Sequence, residues 1–252
     1  MSDLARYLIV CPLCALAGFI DSIAGGGGLI SLPAYYLAGY SARFAAGTNK
    51  LSASVGAIAA VIRYGRGGDI DLIPAVLSTL GALPGAYLGA QALKAIDEAL
   101  ALRAMIIILP VVCVVLLTRR GNIQRAAHPG AWRYPAYAVI GCVVGFYDGM
   151  IGPGTGTFLI LLFSGITGMP PLIASGTAKV ANLASGLSSL YSFIQGGYVN
   201  LMLGAAAGVF SVAGNLLGAG LAMRKGDKII QGVLVGVLAL ILITLIARAV
   251  NL

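Results

Sequence analysis

A chain of 252 residues that is 59% hydrophobic and only 10% charged lacks the charge to cover its surface in water, since a soluble domain carries about 25% charged residues. Its mean hydropathy of +0.97 therefore points to a polytopic membrane protein. A net charge of +8 would suggest nucleic acid in a soluble protein. Here seven of the sixteen basic residues fall in two segments, Thr118–Arg133 and Arg224–Lys228, the pattern of cytoplasmic loops, and no nucleic acid is expected as a partner.

In chain order, Arg6 comes first, ahead of an apolar run, Tyr7–Ile20, of the size found in signal peptides. That run leads straight into Asp21 and four glycines, a passage that returns in mid-chain, so it is read as an uncleaved part of the fold. Cys11-Pro12-Leu13-Cys14 has redox or metal spacing. It lies in an apolar helix without a companion pair, where free cysteine packs as a small hydrophobe. Cys113 and Cys142 are expected in the core as well, and no cofactor or metal is expected.

Gly18-Phe-Ile-Asp21-Ser-Ile-Ala-Gly25-Gly26-Gly27-Gly28 then breaks the first segment into a hairpin with arms Leu4–Ala24 and Leu29–Ala38. Ala46-Gly47-Thr48-Asn49-Lys50 follows, at the head of three apolar stretches, Ala45–Ile62, Leu72–Leu93 and Leu100–Leu117. Each comes close to the roughly 20 residues that cross a bilayer. Beyond the basic segment, where the single histidine His128 sits in a solvated position beside Pro129, the order repeats. Arms Tyr134–Met150 and Thr157–Gly165 flank Gly152-Pro153-Gly154-Thr155-Gly156, and Ser175-Gly176-Thr177-Ala178-Lys179 precedes the rest of Leu172–Ile194, Val199–Met223 and Ile229–Ala247.

Gly145-Phe-Tyr-Asp148 thus lies 127 residues after Gly18-Phe-Ile-Asp21, and the Thr and Lys motif recurs after 129. Gly67-Gly68 with Gly196-Gly197, and Gly85-x-x-x-Gly89 with Gly214-x-x-x-Gly218, keep the offset of 129. Repeats of this length in an apolar chain mark transporters rather than solenoids.

The fold class expected is all-α and polytopic, with two repeats, 1–117 and 134–252, joined by a basic cytoplasmic linker at 118–133. Each repeat is a broken helical hairpin plus three transmembrane helices. A hairpin returns to its own side, so each repeat makes an odd number of crossings and the second copy is inverted. With Thr118–Arg133 in the cytoplasm, Gln195–Asn200 outside has no Lys or Arg, and Arg224–Lys228 inside has three. Arg63–Gly68 falls inside, and Lys94–Arg103 outside has its bases balanced by Asp97 and Glu98, in keeping with positive-inside. Both termini then lie outside the cytoplasm. Glycines spaced by four, Gly81, Gly85 and Gly89, Gly204 and Gly208, Gly214 and Gly218, Gly232 and Gly236, let helix backbones approach in lipid, within one chain or across a homodimer. Trp132, Tyr134 and Tyr137 are expected at the membrane interface.

Four consecutive glycines, or Gly-Pro-Gly-Thr-Gly, cannot continue a stable helix, at about 1 kcal/mol per glycine and 3 per internal proline. At membrane depth such backbone persists only where protein or a watery cavity satisfies its amides. The half-helices that restart after the breaks direct their N–H groups, the positive dipole end, at a central cavity. The structural alternative is that the glycines merely allow close hairpin packing. Lys50 and Lys179 are costly at helix depth, by roughly 2.5–3.5 kcal/mol; they contact an anion or else snorkel to the interface. Thr48, Asn49, Thr177 and, one turn beyond Lys179, Asn182 add donors; Ser54 is the looser counterpart beyond Lys50. Asp21 and Asp148 pair with a lysine, relay a proton or cap the helix break.

These passages together, Phe19-Ile-Asp21-Ser-Ile-Ala-Gly-Gly-Gly-Gly with Ala46-Gly47-Thr48-Asn-Lys50, and Gly145-Phe-x-Asp148-Gly-x-x-Gly-x-Gly-Thr-Gly with Ala174-Ser175-Gly176-Thr177-Ala-Lys179-Val-x-Asn182, resemble the TauE/SafE family of bacterial sulfite and organosulfonate exporters, over nearly the whole chain. The resemblance implies a multi-pass protein of the bacterial inner membrane, built of two inverted halves. It implies export of sulfite, sulfoacetate or related small carboxylate or sulfonate anions, with the anion and the bilayer as partners. The expected substrate-binding set is Gly26, Gly27, Gly28, Thr48, Asn49, Lys50, Gly154, Thr155, Gly156, Thr177, Lys179 and Asn182, with Asp21 and Asp148 for proton coupling or lysine pairing. Pro153 stands where the first break has Gly26, so the half-sites are not expected to contribute equally. An inside-negative potential favours anion export by about 2.3 kcal/mol per charge per 100 mV, so no ATP is needed and no nucleotide motif occurs. An intramembrane serine protease would need a histidine base facing the cavity; His128 lies in a loop and no enzyme is expected. Transport of another small anion, or import, stays open.

Overall fold

The computed structural model of the chain describes residues 2–97, 100, 130 and 132–236. Among these the fold is all-helical: α1 (Asp3–Ala24), α2 (Gly28–Leu37), α3 (Ala42–Gly67), α4 (Leu72–Ala95), α5 (Arg133–Met150), α6 (Thr155–Thr167), α7 (Pro171–Gln195) and α8 (Leu201–Lys225), followed by a helical stretch at 227–236. Three of them, α1, α4 and α8, are long and apolar enough to cross a membrane. At 26 and 25 residues α3 and α7 have the length, but they bury polar side chains, Thr48, Asn49 and Lys50 in one, Ser175, Thr177 and Lys179 in the other. The expected span Leu100–Leu117 beyond its first residue, Cys113, the basic segment with His128, and Ile229–Ala247 from 237 onward lie outside the described residues.

The two breaks are made by backbone that only glycine adopts easily. Gly25 ends α1 in the left-handed region at φ 75°, with its N–H on the Asp21 carbonyl, and Gly154, at φ 82°, precedes α6. A helix end leaves carbonyls unpaired, and in an apolar interior they must find donors. Three hydroxyls supply them: Tyr64 donates to Ser22 O (2.7 Å), Ser175 to Ile23 O (2.8 Å) and Thr157 to Ala24 O (2.6 Å). The breaks also meet. A Cβ on Gly25 would overlap the backbone of Gly156, and one on Gly156 would overlap Gly25, so at these two positions glycine serves close packing of one hairpin on the other.

Packing does not follow the sequence halves. The five most extensive helix pairings are α4 with α5, α1 with α8, α3 with α8, α4 with α7 and α3 with α7, and each joins a first-half helix to a second-half one. The pairings resolve into two bundles, α1–α3 with α8 and α5–α7 with α4, so each half lends its last long described helix to the other. What remains between the bundles is mainly the α3–α7 contact and the meeting of the two breaks.

Glycine makes the exchange close. On α4, a Cβ at Gly81, Gly85 or Gly89 would overlap the carbonyl of Ala138, Cys142 or Phe146 on α5, and on α8 one at Gly214 or Gly218 would overlap that of Ala15 or Phe19 on α1. Gly204 and Gly208 instead seat the side chains of Leu51 and Val55, and Gly232 and Gly236 have nothing within 4 Å among the described residues. Two expectations are corrected by this packing. Cys142 is exposed rather than in the core, because its backbone lies on Gly81 and Gly85 and turns its thiol outward. Tyr137 is buried rather than interfacial, edge-on against Phe163 at 5.5 Å, while Trp132 and Tyr134 are exposed.

Gly214→Ala tests this contact by its sign. In an unpartnered helix the change stabilises by about 1 kcal/mol; here the Ala15 carbonyl forbids the methyl, and overpacking costs about 1–3 kcal/mol. A lowered Tm is expected, and a raised one would show that α1 and α8 do not pack this closely.

Candidate functional site

Lys50 and Lys179 are each the ninth residue of a helix, counting 42 to 50 in α3 and 171 to 179 in α7. They therefore stand about 12 Å in from the helix start. Docked loops hold the first turns of both helices. The loop before α8 lies on α3, where a Cβ on Gly47 would overlap the Tyr198 carbonyl, and the loop before α4 lies on α7, where Gly176 faces the Asp69 carbonyl in the same way. One residue on, Thr48 Oγ1 accepts the Asn200 N–H (3.0 Å) and Thr177 Oγ1 accepts the Asp71 N–H (3.0 Å). Asn200 and Asp71 are the N-cap residues of α8 and α4. The repeated Gly-Thr thus fastens each exchanged helix to the opposite half.

Two residues further on the lysines reach across the seam. Lys50 Nζ lies 2.7 Å from Asp148 Oδ2, and Lys179 Nζ pairs with Asp21 Oδ2. Each pair joins a second-half residue to a first-half one, and each buried lysine ends on a carboxylate within the fold. The pairs differ in support. Asp148 also accepts from Ser185 Oγ on Oδ2 and from Thr155 Oγ1 on Oδ1, both at 2.7 Å, and its side chain is 4% exposed. Among the described residues Asp21 has only the Gly27 N–H at 3.3 Å besides its lysine, and its side chain is 15% exposed. The four groups sum to zero charge.

Against this constellation lies a cavity of about 60 Å³, space for on the order of five water-sized groups. Of the sequence-selected residues, Asp21, Gly27, Gly28, Asn49 and Lys50 line it from the first half; Asp148, Thr155 and Asn182 do so from the second. Gly26, Gly154, Gly156, Thr48, Thr177 and Lys179 do not reach its wall: Gly156 is taken up by the contact with Gly25, the two threonines by the loops, and Lys179 stands behind Asp21. Ser31, Ser52 and Ser211 line it as well, and motif matching passes over them because they lie where the repeats differ.

Comparison with known proteins bears on what this site serves. The family model described as Sulfite exporter TauE/SafE matches residues 10–245. A "probable membrane transporter protein" of Sinorhizobium is 34% identical over 251 residues, covering 98% of this chain and 95% of that one. One of Escherichia coli K12 is 36% identical over 224 residues, 87% of this chain and 82% of its own, and one of Haemophilus influenzae is 34% identical over 241 residues, 92% of each. No solved structure matches the chain.

Proposed function

Because this chain belongs to the TauE/SafE family of sulfite exporters, we propose that it is a secondary transporter that moves small sulfur oxyanions, sulfite or a short sulfonate such as sulfoacetate, out across the bacterial inner membrane by alternating access. The observation that carries this reading is a buried cation, Lys50, on the wall of a small, partly open cavity where the two helix breaks meet. A buried lysine retained at such cost marks a substrate or ion path in a membrane protein. The Asn49 and Asn182 amides supply further donors on the same wall, and 60 Å³ suits a compact anion better than a long one.

In this reading the two repeats are inverted, the linker 118–133 is cytoplasmic and the termini are outside. The offset of 129 supports the repeat itself, since it relates Gly47 to Gly176, Thr48 to Thr177 and Asn200 to Asp71, pairs of residues in matching contacts; the inversion rests on the odd number of crossings and the orientation on loop charge. The bodies that rock are the exchanged bundles rather than the sequence halves, because separating the halves would part α1 from α8 and α4 from α5.

Charge balance adds a proton. The four charges cancel, so a monovalent anion entering the cavity leaves an uncompensated buried charge, which is expensive. A proton on Asp21 removes it. Asp148, held by three donors, stays in place as the counter-ion of Lys50, and the less supported Asp21 is the carrier.

The test is saturable binding by calorimetry, followed by efflux from proteoliposomes, with sulfite, sulfoacetate, taurine and lactate. Binding and efflux of sulfite and sulfoacetate, at least tenfold better than lactate, are expected. Preference for lactate would move the substrate to carboxylates, and no binding of any anion would overturn the reading.

A further inference from the structure

The cavity is far less symmetric than the chain around it. The two pairs of charged residues, the two breaks and the two loop docks recur between halves, but the polar wall does not. At the repeat offsets, Ser31 corresponds to Phe158, Asn49 to Ala178, Ser52 to Ala181, Ser54 to Leu183 and Ser211 to Ala82. Phe158, Ala178 and Ala181 are buried in the main apolar cluster, so the place that is a polar chamber beside α3 is filled with hydrocarbon beside α7.

Two side-chain oxygens on that wall are left over among the described residues. Asn49 and Ser54 are 7% and 3% exposed, both line the cavity, and among the described residues Asn49 Oδ1 and Ser54 Oγ have no hydrogen-bond partner; Oδ1 only accepts, so a half-turn of the Asn49 amide is what presents its N–H to an anion. A buried polar group left unpaired destabilises the fold. Ser31 and Ser52, by contrast, donate to the Gly27 and Asn49 carbonyls, and Tyr35 donates to Ser52. Ser54 lies one helical turn beyond Lys50 on the same face. Opposite it, Gly186 leaves room for the hydroxyl, since a Cβ there would come within 2.9 Å of Ser54 Oγ.

We infer that the substrate is gripped from one side, by α3, and that Asn49 and Ser54 are specificity-determining residues that select a three-oxygen head over a carboxylate. A sulfonate or sulfite head offers three acceptors, one each for the Lys50 ammonium, the Asn49 amide and the Ser54 hydroxyl. A carboxylate can also take three donors, as Asp148 does, but two of them must share one oxygen in the plane of the group, whereas a pyramidal three-oxygen head gives each donor an oxygen of its own. The second bundle contributes the Asp148 counter-ion, Thr155 and Asn182, and otherwise closes the chamber. This rests on the transporter reading, and deepens it by assigning the basis of selectivity.

Calorimetry with methanesulfonate and acetate, which share a methyl group and differ in the head, tests it on the purified full chain. The wild type is expected to bind methanesulfonate at least tenfold tighter. Ser54→Ala and Asn49→Ala, the latter placing the second repeat's residue in the first, are each expected to weaken methanesulfonate about ten- to hundredfold, the worth of a hydrogen bond to a charged partner, and to leave acetate within threefold. Ser54→Cys, closer in volume, is expected to weaken methanesulfonate similarly, and the Tm of all three without anion is expected to hold or rise. If the variants bind both anions as the wild type does, or lose both equally, the assignment of Asn49 and Ser54 is wrong while the site stands. If the wild type binds neither these anions nor sulfite, the transporter reading fails first.

Discussion

Replacing Lys50 by alanine will abolish anion binding and lower stability by about 3–5 kcal/mol, the measured range when one partner of a buried ion pair is removed. Asp148 is 4% exposed on its side chain, and the hydroxyls of Ser185 and Thr155 that remain bonded to it carry no charge to balance it. The second variant separates folding from function. Lys50→Met combined with Asp148→Asn removes both charges at similar volume, so it is expected to recover most of the lost Tm while flux stays below one hundredth of wild type, since the ammonium on the cavity wall is gone. Lys179→Ala should be milder in stability, because Asp21 lines the cavity and is 15% exposed, where solvent reaches the abandoned carboxylate. Full flux in the double variant would remove Lys50 from the binding site and reduce both pairs to scaffolding.

Much of this arrangement is legible in the sequence. The hairpin arms read as Leu4–Ala24 and Tyr134–Met150 are α1 and α5 to within one residue at either end, because glycines that take a left-handed backbone, Gly25 and Gly152, follow each arm and stop the helix. The special status of Lys50, Lys179, Asp21 and Asp148 is legible too, since ionised groups in apolar helices need a reason. What escapes is anything that depends on which helix lies beside which. Thr48 and Thr177 read as substrate donors by type and position, yet their oxygens accept from the loops before α8 and α4, and only tertiary docking puts those loops there. The exchange of α4 and α8 is hidden for the same reason: a glycine every four residues announces a close neighbour without naming it. Cys142 and Tyr137 are misplaced because composition does not say which face of α5 meets α4. The serines of the cavity could have been found by asking where the repeats disagree, as at Asn49 against Ala178, instead of where they match.

Asp21→Asn carries the second large effect, on what moves with the anion. The groups facing Asp21 are Lys179 from α7 and the Gly27 N–H, with Lys50 and Asp148 elsewhere on the same cavity wall. With Asp21 neutral, Lys179 is freed to balance the incoming anion; with Asp21 charged, it is not. Wild-type proteoliposomes loaded with methanesulfonate, an anion that does not itself titrate near neutrality, are expected to release one proton per anion, so the internal pH rises during efflux and a potassium diffusion potential leaves the rate unchanged. Asparagine mimics the protonated carboxyl permanently. The variant is therefore expected to bind the anion, to release no protons, and to respond to voltage as a bare monovalent charge does, by about 2.3 kcal/mol per 100 mV, or roughly fiftyfold in the accumulation ratio. Voltage-sensitive, proton-free efflux in the wild type would remove the proton from the cycle and leave the membrane potential as the drive. Proton release that persists in Asp21→Asn but stops in Asp148→Asn would move the carrier to the other pair. The asymmetry of support around the two carboxylates, three donors against two, argues for Asp21: the less firmly held carboxylate is the one that can change its charge without dismantling the seam between the bundles.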